Sequence, residues 1–384
     1  MSWEAMKLGD VLPFKYGRNL PESKRTQTGE YDVVTSAGVA GSHCEALTTV
    51  PSVVVGRKGT IGKLTYCGAP VWPTDTAFFV EERDGVNLRF AYYLLSTLPF
   101  QSMNNDSAVP GLNRRDAEDL IVRIPSLQEQ NSIADVLGAL DDKIAANQRI
   151  ADSITDLQSA IWNRAIQDVE RVPVGSVALP QLGGTPARKV QENWTNEIPW
   201  SSVADMTAAN GKYLLNTAEG ISIECAKTRR FAPLPAGAVL LSARGTVGKV
   251  VTLVSPTSFN QSAYGFTEPE NRSAALRLAI EGIVEELRSK SYGSVFSTIT
   301  KGTILECTVP NVFHEEYSDL HSHLGMLEDR AISAVQENQV LAATRDELLP
   351  LLMNRKITVV EAEEAVGDVG VVKQKQQEEG DSDV

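Results

Sequence analysis

The chain has few of the residues that most often build catalytic or metal centres: four cysteines and four histidines among 384 residues. Cys44, Cys67, Cys225 and Cys307 stand far apart in no paired-ligand spacing, and histidines gather only at His321-x-His323 with His314 nearby. This argues against structural zinc and a disulfide framework, and the cysteines read as reduced thiols. Long apolar runs are missing too. None approaches the roughly 18 residues of a membrane-spanning helix, and Met1-Ser2-Trp3-Glu4 opens no basic-then-apolar leader, so a cytoplasmic location is expected. The chain also lacks a surplus of positive charge, its net charge being −13. Residues 361–384 supply −6 of that, eight acids against Lys373 and Lys375, and the rest is still acidic. Nucleic-acid contact would therefore require locally concentrated Lys and Arg, or a basic partner.

What the chain does have is a repeat. Gly59-Thr60-Ile61-Gly62-Lys63 returns 186 residues later as Gly245-Thr246-Val247-Gly248-Lys249. At the same offset Thr74-Asp75-Thr76-Ala77-Phe78 returns as Asn260-Gln261-Ser262-Ala263-Tyr264. Leu140-Asp141-Asp142-Lys143 is echoed by Leu327-Glu328-Asp329-Arg330, and Asn147-Gln148 by Asn338-Gln339. A duplicated globular unit followed by a long helix gives two similar faces. That plan suits a target made of two separated parts.

The length, with 42% hydrophobic residues and a mean hydropathy of −0.15, allows two ordinary cores. The expected fold is α+β: two similar mixed α/β domains separated by two long helices that form an antiparallel coiled coil, a pseudo-two-fold internal repeat. Residues 1–126 make the first domain, 127–168 the first long helix, 169–311 the second domain and 312–356 the second long helix; 357–384 read as an acidic disordered tail. In the first domain Val53-Val54-Val55 and the run through Ile61, Leu64 and Tyr66 read as strands about the glycine turn. Residues 90–98 read as a helix and 120–124 as a last strand. Strands at 238–241 and 250–254 and a helix over 274–289 repeat this plan. Leu8-Gly9-Asp10-Val11 matches Val174-Gly175-Ser176-Val177 at an offset of only 166, so the second copy gains about 20 residues. The pattern places that insertion within 185–213, with Arg188, Lys189, Trp194 and Trp200.

Along the first helical segment Ile133, Leu140, Asn147, Ile154 and Ile161 recur every seven residues, with Val136, Leu137, Ile144, Ile150 and Leu157 between them. The second carries Tyr317, Leu324, Ala331, Asn338 and Leu352 on one stripe, which Arg345 interrupts, and Leu320, Leu327, Ala334, Leu341 and Leu348 on the other. Each helix is a rod of about 60 Å. Asn147 and Asn338, one in each seam, are expected to meet and fix the register.

Gly56 to Lys63 invites comparison with a phosphate-binding P-loop, but the spacing is one residue too long and Leu64 stands where Ser or Thr would hold magnesium. The glycines instead let backbone come close to a ligand. Lys58, Lys63, Arg244 and Lys249 flank the two turns and suit phosphate oxygens, the plainer alternative being a hairpin turn with solvated lysines. Discrimination between two targets must lie where the copies differ: Arg57 against Ala243, Thr74-Asp75 against Asn260-Gln261, Arg188 and Lys189, and the loops near Asn104-Asn105 and Ser297-Thr298. Asn and Gln pair with adenine, Arg with guanine, and Asp accepts from cytosine. With Thr60, Thr246 and Ser262 these residues are the candidate DNA contacts. No Ser/His/Asp arrangement, shared carboxylate pair or methyl-donor glycine signature is present, so neither a catalytic residue nor a metal ligand is expected.

These features together resemble the DNA-specificity subunits of type I restriction-modification systems. The resemblance runs from Leu8 to about Lys356. It rests on the repeated Gly-Thr-Ile/Val-Gly-Lys turn, Gly183-Gly184-Thr185-Pro186 with Ile198-Pro199-Trp200, Asn260-Gln261-Ser262-Ala263-Tyr264, and Ile124-Pro125-Ser126-Leu127-Gln128-Glu129-Gln130 leading into the first long helix. It implies two target-recognition domains, each reading half of a split double-stranded DNA sequence, with the paired helices as a ruler. It implies no catalysis and no cofactor in this chain. Its partners would be two methyltransferase subunits that use S-adenosylmethionine to methylate adenine at N6, and ATP- and Mg2+-dependent motor-nuclease subunits. A methylation-only relative and a non-DNA scaffold with two protein-binding heads are the alternatives. The second copy departs from the pattern at Val309-Pro310-Asn311-Val312-Phe313-His314-Glu315-Glu316, where the first has its Glu-Gln pair.

Overall fold

The computed structural model describes residues 3–103, 111–209, 211–270, 272–291 and 298–368. Two compact units emerge: residues 1–144 with 340–384, and residues 145–339. Each holds one copy of the repeat and part of both long helices. Among the described residues no helix is long and apolar enough to cross a membrane.

In the first unit Ser52–Gly56 is buried at every position, which explains its unalternating Ser-Val-Val-Val-Gly. It pairs antiparallel with Leu64–Cys67 on one side and Ala77–Glu81 on the other, and Lys15–Tyr16 lies beyond the latter. The helix Leu88–Ser96 starts where the Asn87 side chain accepts from the Phe90 amide, and it buries Phe90, Ala91, Leu94 and Leu95. Strand Glu4–Lys7 pairs with Ile121–Ile124, bringing the start of the domain to its end, just before the first long helix, Leu127–Ala165. Leu137 and Leu140 of that helix share a core with Leu341, Leu348 and Leu352 of the second long helix, Ser318–Met353. All five lie on the expected seams. Arg345 interrupts its stripe because it pairs with Asp141 at 2.6 Å.

The acidic end differs from expectation. Val359–Asp368 is a helix whose Ala362 and Val366 are buried in the core of the first unit. Thr358 and Glu361 form a reciprocal cap: the Glu361 carboxylate accepts from the Thr358 amide at 2.7 Å, and the Thr358 hydroxyl from the Glu361 amide at 3.3 Å. Apolar residues at spacings of three and four give this segment a face to bury, despite its charge. The remainder of the expected tail, 369–384, lies outside the described residues.

The second unit repeats the central sheet with Gln181–Leu182, Ala263–Phe266, Val239–Ser242 and Val250–Leu253, then adds a fifth strand, Tyr213–Leu214, parallel to Val250–Leu253. Strand Arg171–Pro173 closes on Thr308–Pro310 as in the first unit. The helix expected over 274–289 is divided into Ser273–Glu281 and Val284–Ser291, with Gly282, a poor helix former, capping the first part.

Strand register also moves the insertion. Trp200 pairs with Ser258 here, and Val33 with Trp72 in the first unit. Trp72 to Ser258 is an offset of 186 but Val33 to Trp200 only 167, so the extra residues follow Trp200. They include the capped helix Val203–Ala208 and the added strand. Arg188 through Trp200 therefore has a counterpart in the first copy and is not inserted.

Within this unit the two long helices run in opposite directions. Asn147 Nδ2 donates to Glu337 at 2.7 Å, and Gln158 Nε2 to the Leu324 carbonyl at 3.0 Å. Ala151 and Ile154 pack with Ala331, Val335 and the inserted Tyr213. The fully buried Asn147 thus meets a carboxylate one residue before Asn338 instead of the Asn338 amide. A charge-assisted bond is the stronger partner.

Candidate nucleic-acid interface

The two glycine turns are built alike. In the first, the Gly56 amide donates to the Lys63 carbonyl and the Gly62 amide to the Gly56 carbonyl, both at 2.8 Å. In the second, Ser242 and Gly248 stand in for Gly56 and Gly62, with both bonds at 2.9 Å. Gly59, Gly62, Gly245 and Gly248 all have φ between +73° and +86°, the region where a side chain is strained. Space divides them further. A Cβ on Gly62 would meet Phe100 Cβ at 2.8 Å and one on Gly248 would meet Val284 Cγ1 at 2.7 Å, whereas Gly59 and Gly245 have no neighbour closer than 3.5 Å.

The residue after each strand is pinned by the same backbone bonds. The Arg57 amide donates to the Thr76 carbonyl at 2.9 Å, and the Ala243 amide to the Ser262 carbonyl at 2.7 Å. The Arg57 carbonyl accepts from the Leu112 amide, and the Ala243 carbonyl from the Ile299 amide. In this way the loops 74–76 and 260–262 are held beside their turns.

The candidate residues divide by what they touch. In the first copy Lys58 and Thr60 are exposed at the turn, and Asp75 is exposed beside it. Thr74 is buried, its hydroxyl bonded to that of Thr76 at 2.8 Å, so it braces the loop and presents nothing outward. Lys63 Nζ donates to the Ala37 carbonyl. In the second copy Arg244 and Thr246 are exposed; Asn260 Oδ1 accepts from the Ser262 amide at 3.0 Å, and Gln261 accepts from the Thr185 hydroxyl. Lys249 Nζ donates to the Gly211 carbonyl at 3.1 Å; burial, with Lys212 nearby, pulls its pKa below the usual lysine value. Both turn lysines thus tie a neighbouring loop. Arg188 grips Glu219 through both terminal nitrogens and stacks 3.8 Å from the Trp194 ring centre, while Lys189 is exposed. Asn104, Asn105 and Ser297 lie outside the described residues.

One residue at the first turn, Tyr16, escaped the sequence pattern, whereas Arg114-Arg115 reads from sequence as either a phosphate contact or a solvated helix start. Tyr16 stacks against Arg57, with 5.1 Å from ring centre to guanidinium carbon, and Arg114 approaches the same ring at 5.8 Å. The available signal was the match of Tyr16-Gly17 to Leu182-Gly183 at offset 166, which marks an exposed aromatic in one copy alone. Among the thiols, burial pushes Cys67 and Cys307 up to about 11, which leaves them protonated and unreactive near neutrality.

Residues 1–156 and 166–316 match the type I restriction modification DNA specificity domain. The chain is 24% identical over 178 residues to the type I restriction enzyme MjaIX specificity subunit of Methanocaldococcus jannaschii, covering 45% of this chain and 40% of that protein. It is 22% identical over 139 residues to the EcoprrI specificity subunit of Escherichia coli, covering 35% of each. The matched regions thus span well under half the length of either relative. A crystal structure of the type I restriction-modification S subunit from M. genitalium shares the fold, with a TM-score of 0.64 at 14% identity over 92% of this chain and 96% of that one.

Proposed function

Because the chain belongs to the type I restriction-modification DNA-specificity family, we propose that it reads a bipartite double-stranded DNA target, one part with each domain. In this reading it is not itself an enzyme. It positions two methyltransferase subunits, which use S-adenosylmethionine on adenine N6, and ATP- and Mg2+-dependent restriction subunits. The observation that carries the reading is the repeated turn: one backbone arrangement, pinned by matching bonds, surrounded by different side chains in the two copies. Equal scaffolds with unequal surfaces are what two half-sites of different sequence require.

The long helices, antiparallel where they meet inside the second unit, are read as a coiled-coil ruler between the half-sites. With a net charge of −13, the methyltransferases are read as supplying much of the phosphate neutralisation, beside the Lys and Arg at the two turns. The test is to co-express the chain with its cognate methyltransferase subunit, in a host without adenine methylation, and to map N6-methyladenine by long-read sequencing. A split motif with a fixed gap, lost when this chain is omitted, is the expected result. An assembled complex that methylates nothing would favour a scaffold with two protein-binding heads.

A further inference from the structure

We infer that Arg57 reads a guanine in the half-site of the first domain and that Tyr16 positions its guanidinium; the inference rests on the bipartite reading above. Arg57, half-buried, is the best-fixed cation at the first turn. Its backbone is bonded on both sides, to Thr76 and to Leu112, and its Nη1 donates to the Asp75 carbonyl at 3.2 Å. Its guanidinium lies 5.1 Å from the Tyr16 ring centre and 5.4 Å from that of Phe78. Phe78 is fully buried and meets Tyr16 edge-on at 5.0 Å, so the platform is rooted in the core while the tyrosine itself is 53% exposed.

Charge sets Arg57 apart from two other arginines that lie over aromatic rings, Arg114 and Arg188. Arg114 donates through Nε to Glu118, and Arg188 is taken up in the fork of Glu219. Arg57 forms no ion pair among the described residues, and of its five N–H donors one is engaged by Asp75. The stacked guanidinium keeps an edge free for a bidentate acceptor. In the major groove that acceptor pair is O6 and N7 of guanine.

The second copy supplies an internal control. Ala243 keeps the same two backbone bonds but has no guanidinium, and Leu182 replaces the tyrosine. Cation and ring are lost together while the scaffold stays, as expected if both serve recognition and neither is needed to hold the turn.

The test is the methylated motif of the full complex carrying Arg57→Ala, Arg57→Lys, Tyr16→Phe or Tyr16→Ala. Arg57→Ala should relax one guanine position in one half-site, reducing discrimination there on the order of 10- to 100-fold, with the other half-site unchanged. Arg57→Lys should do the same, because the charge remains but the fork is lost. Tyr16→Phe should keep the wild-type motif, and Tyr16→Ala should relax the same position as Arg57→Ala. An unchanged motif with methylation uniformly weakened by Arg57→Ala and restored by Arg57→Lys would mean a phosphate contact and overturn the inference. If wild-type protein yields no split motif, the bipartite reading itself fails, a result distinct from a split motif that Arg57 variants leave intact.

Discussion

The two units solve one problem, joining a globular domain to a long helix, with the same parts in exchanged roles. In the first, Asp141 on one long helix meets Arg345 on the other at 2.6 Å and accepts from the Tyr93 hydroxyl of the domain helix at 2.5 Å. In the second, Glu328 takes the place of Asp141, 187 residues on, and at that offset Gln158 takes the place of Arg345. The cation has moved to the domain helix: Arg277 lies 3.7 Å from Glu328 and donates to Gln158 at 2.6 Å. Acid, cation and neutral polar group recur, but the cation that meets this acid comes from a different element; the first unit's domain helix also carries one, Arg89, yet it pairs with the neighbouring Asp142 at 2.7 Å. Duplication has kept the charge balance of the junction and left its wiring free.

Burial differs sharply between the two. The side chains of Asp141 and Arg345 are 23% and 28% exposed, those of Glu328 and Arg277 2% and 0%. Burial accordingly pushes the Glu328 pKa above the usual carboxylate value. The largest predicted effect follows. Arg277→Leu leaves a buried carboxylate without its cation and should destabilise the second unit by about 3–5 kcal/mol, with Arg277→Leu plus Glu328→Leu recovering most of that. Arg345→Ala, at the wetter junction, should cost the first unit only about 1 kcal/mol. Hydrogen exchange in Ser273–Glu281 and in Leu88–Ser96 would localise each loss. Equal losses in the two units would break the comparison.

The glycine turns should behave alike in both copies. Gly62→Ala and Gly248→Ala combine a left-handed backbone with a close contact, so each should cost about 2–4 kcal/mol. Gly59→Ala and Gly245→Ala would meet nothing closer than 3.5 Å and should cost about 1–2 kcal/mol. Thermal unfolding of the four variants checks this ordering.

The smallest effect separates the copies again. His321, which donates from Nε2 to the Val312 carbonyl at 2.8 Å in the second unit, has its pKa lowered by burial. Its counterpart at offset 187 is Ala134. With a folded-state pKa below the unfolded value near 6.5, the unfolded chain binds the proton more tightly. The second unit should therefore lose stability as pH falls below about 7, until the folded-state histidine also titrates. Melting His321→Gln beside wild type at pH 7.5 and 5.5 should show a smaller acid-dependent drop in the variant. An identical drop would assign the acid sensitivity elsewhere.

The seams were legible in the sequence because burial along a helix follows a period, and Leu137, Leu140, Leu341 and Leu348 keep to it. Partners across the seam were not, since a fraction of a turn decides whether Asn147 meets Asn338 or Glu337. The turns were legible from their glycines, but the inward direction of Thr74 was set by a loop bond to Thr76 that leaves no pattern. Motif offsets gave the size of the insertion and a range that overlaps it, but wrongly counted Arg188 to Trp200 within it, because only the pairing of Trp200 with Ser258 locates the gap. In the acidic end, net charge outweighed the apolar spacing of Val359, Ala362 and Val366. Tyr16 left no periodic pattern, because a single aromatic has no period, and only its mismatch with Leu182 at offset 166 marks it.

The central claim is that one duplicated scaffold carries two independent readers. Its most direct test is the methylated motif of the complex carrying Gln261→Ala, set beside that of Arg57→Ala. Gln261→Ala should relax a position in the half-site that Arg57→Ala leaves intact. Relaxation of the same half-site by both substitutions, or of both half-sites by either one, would contradict it.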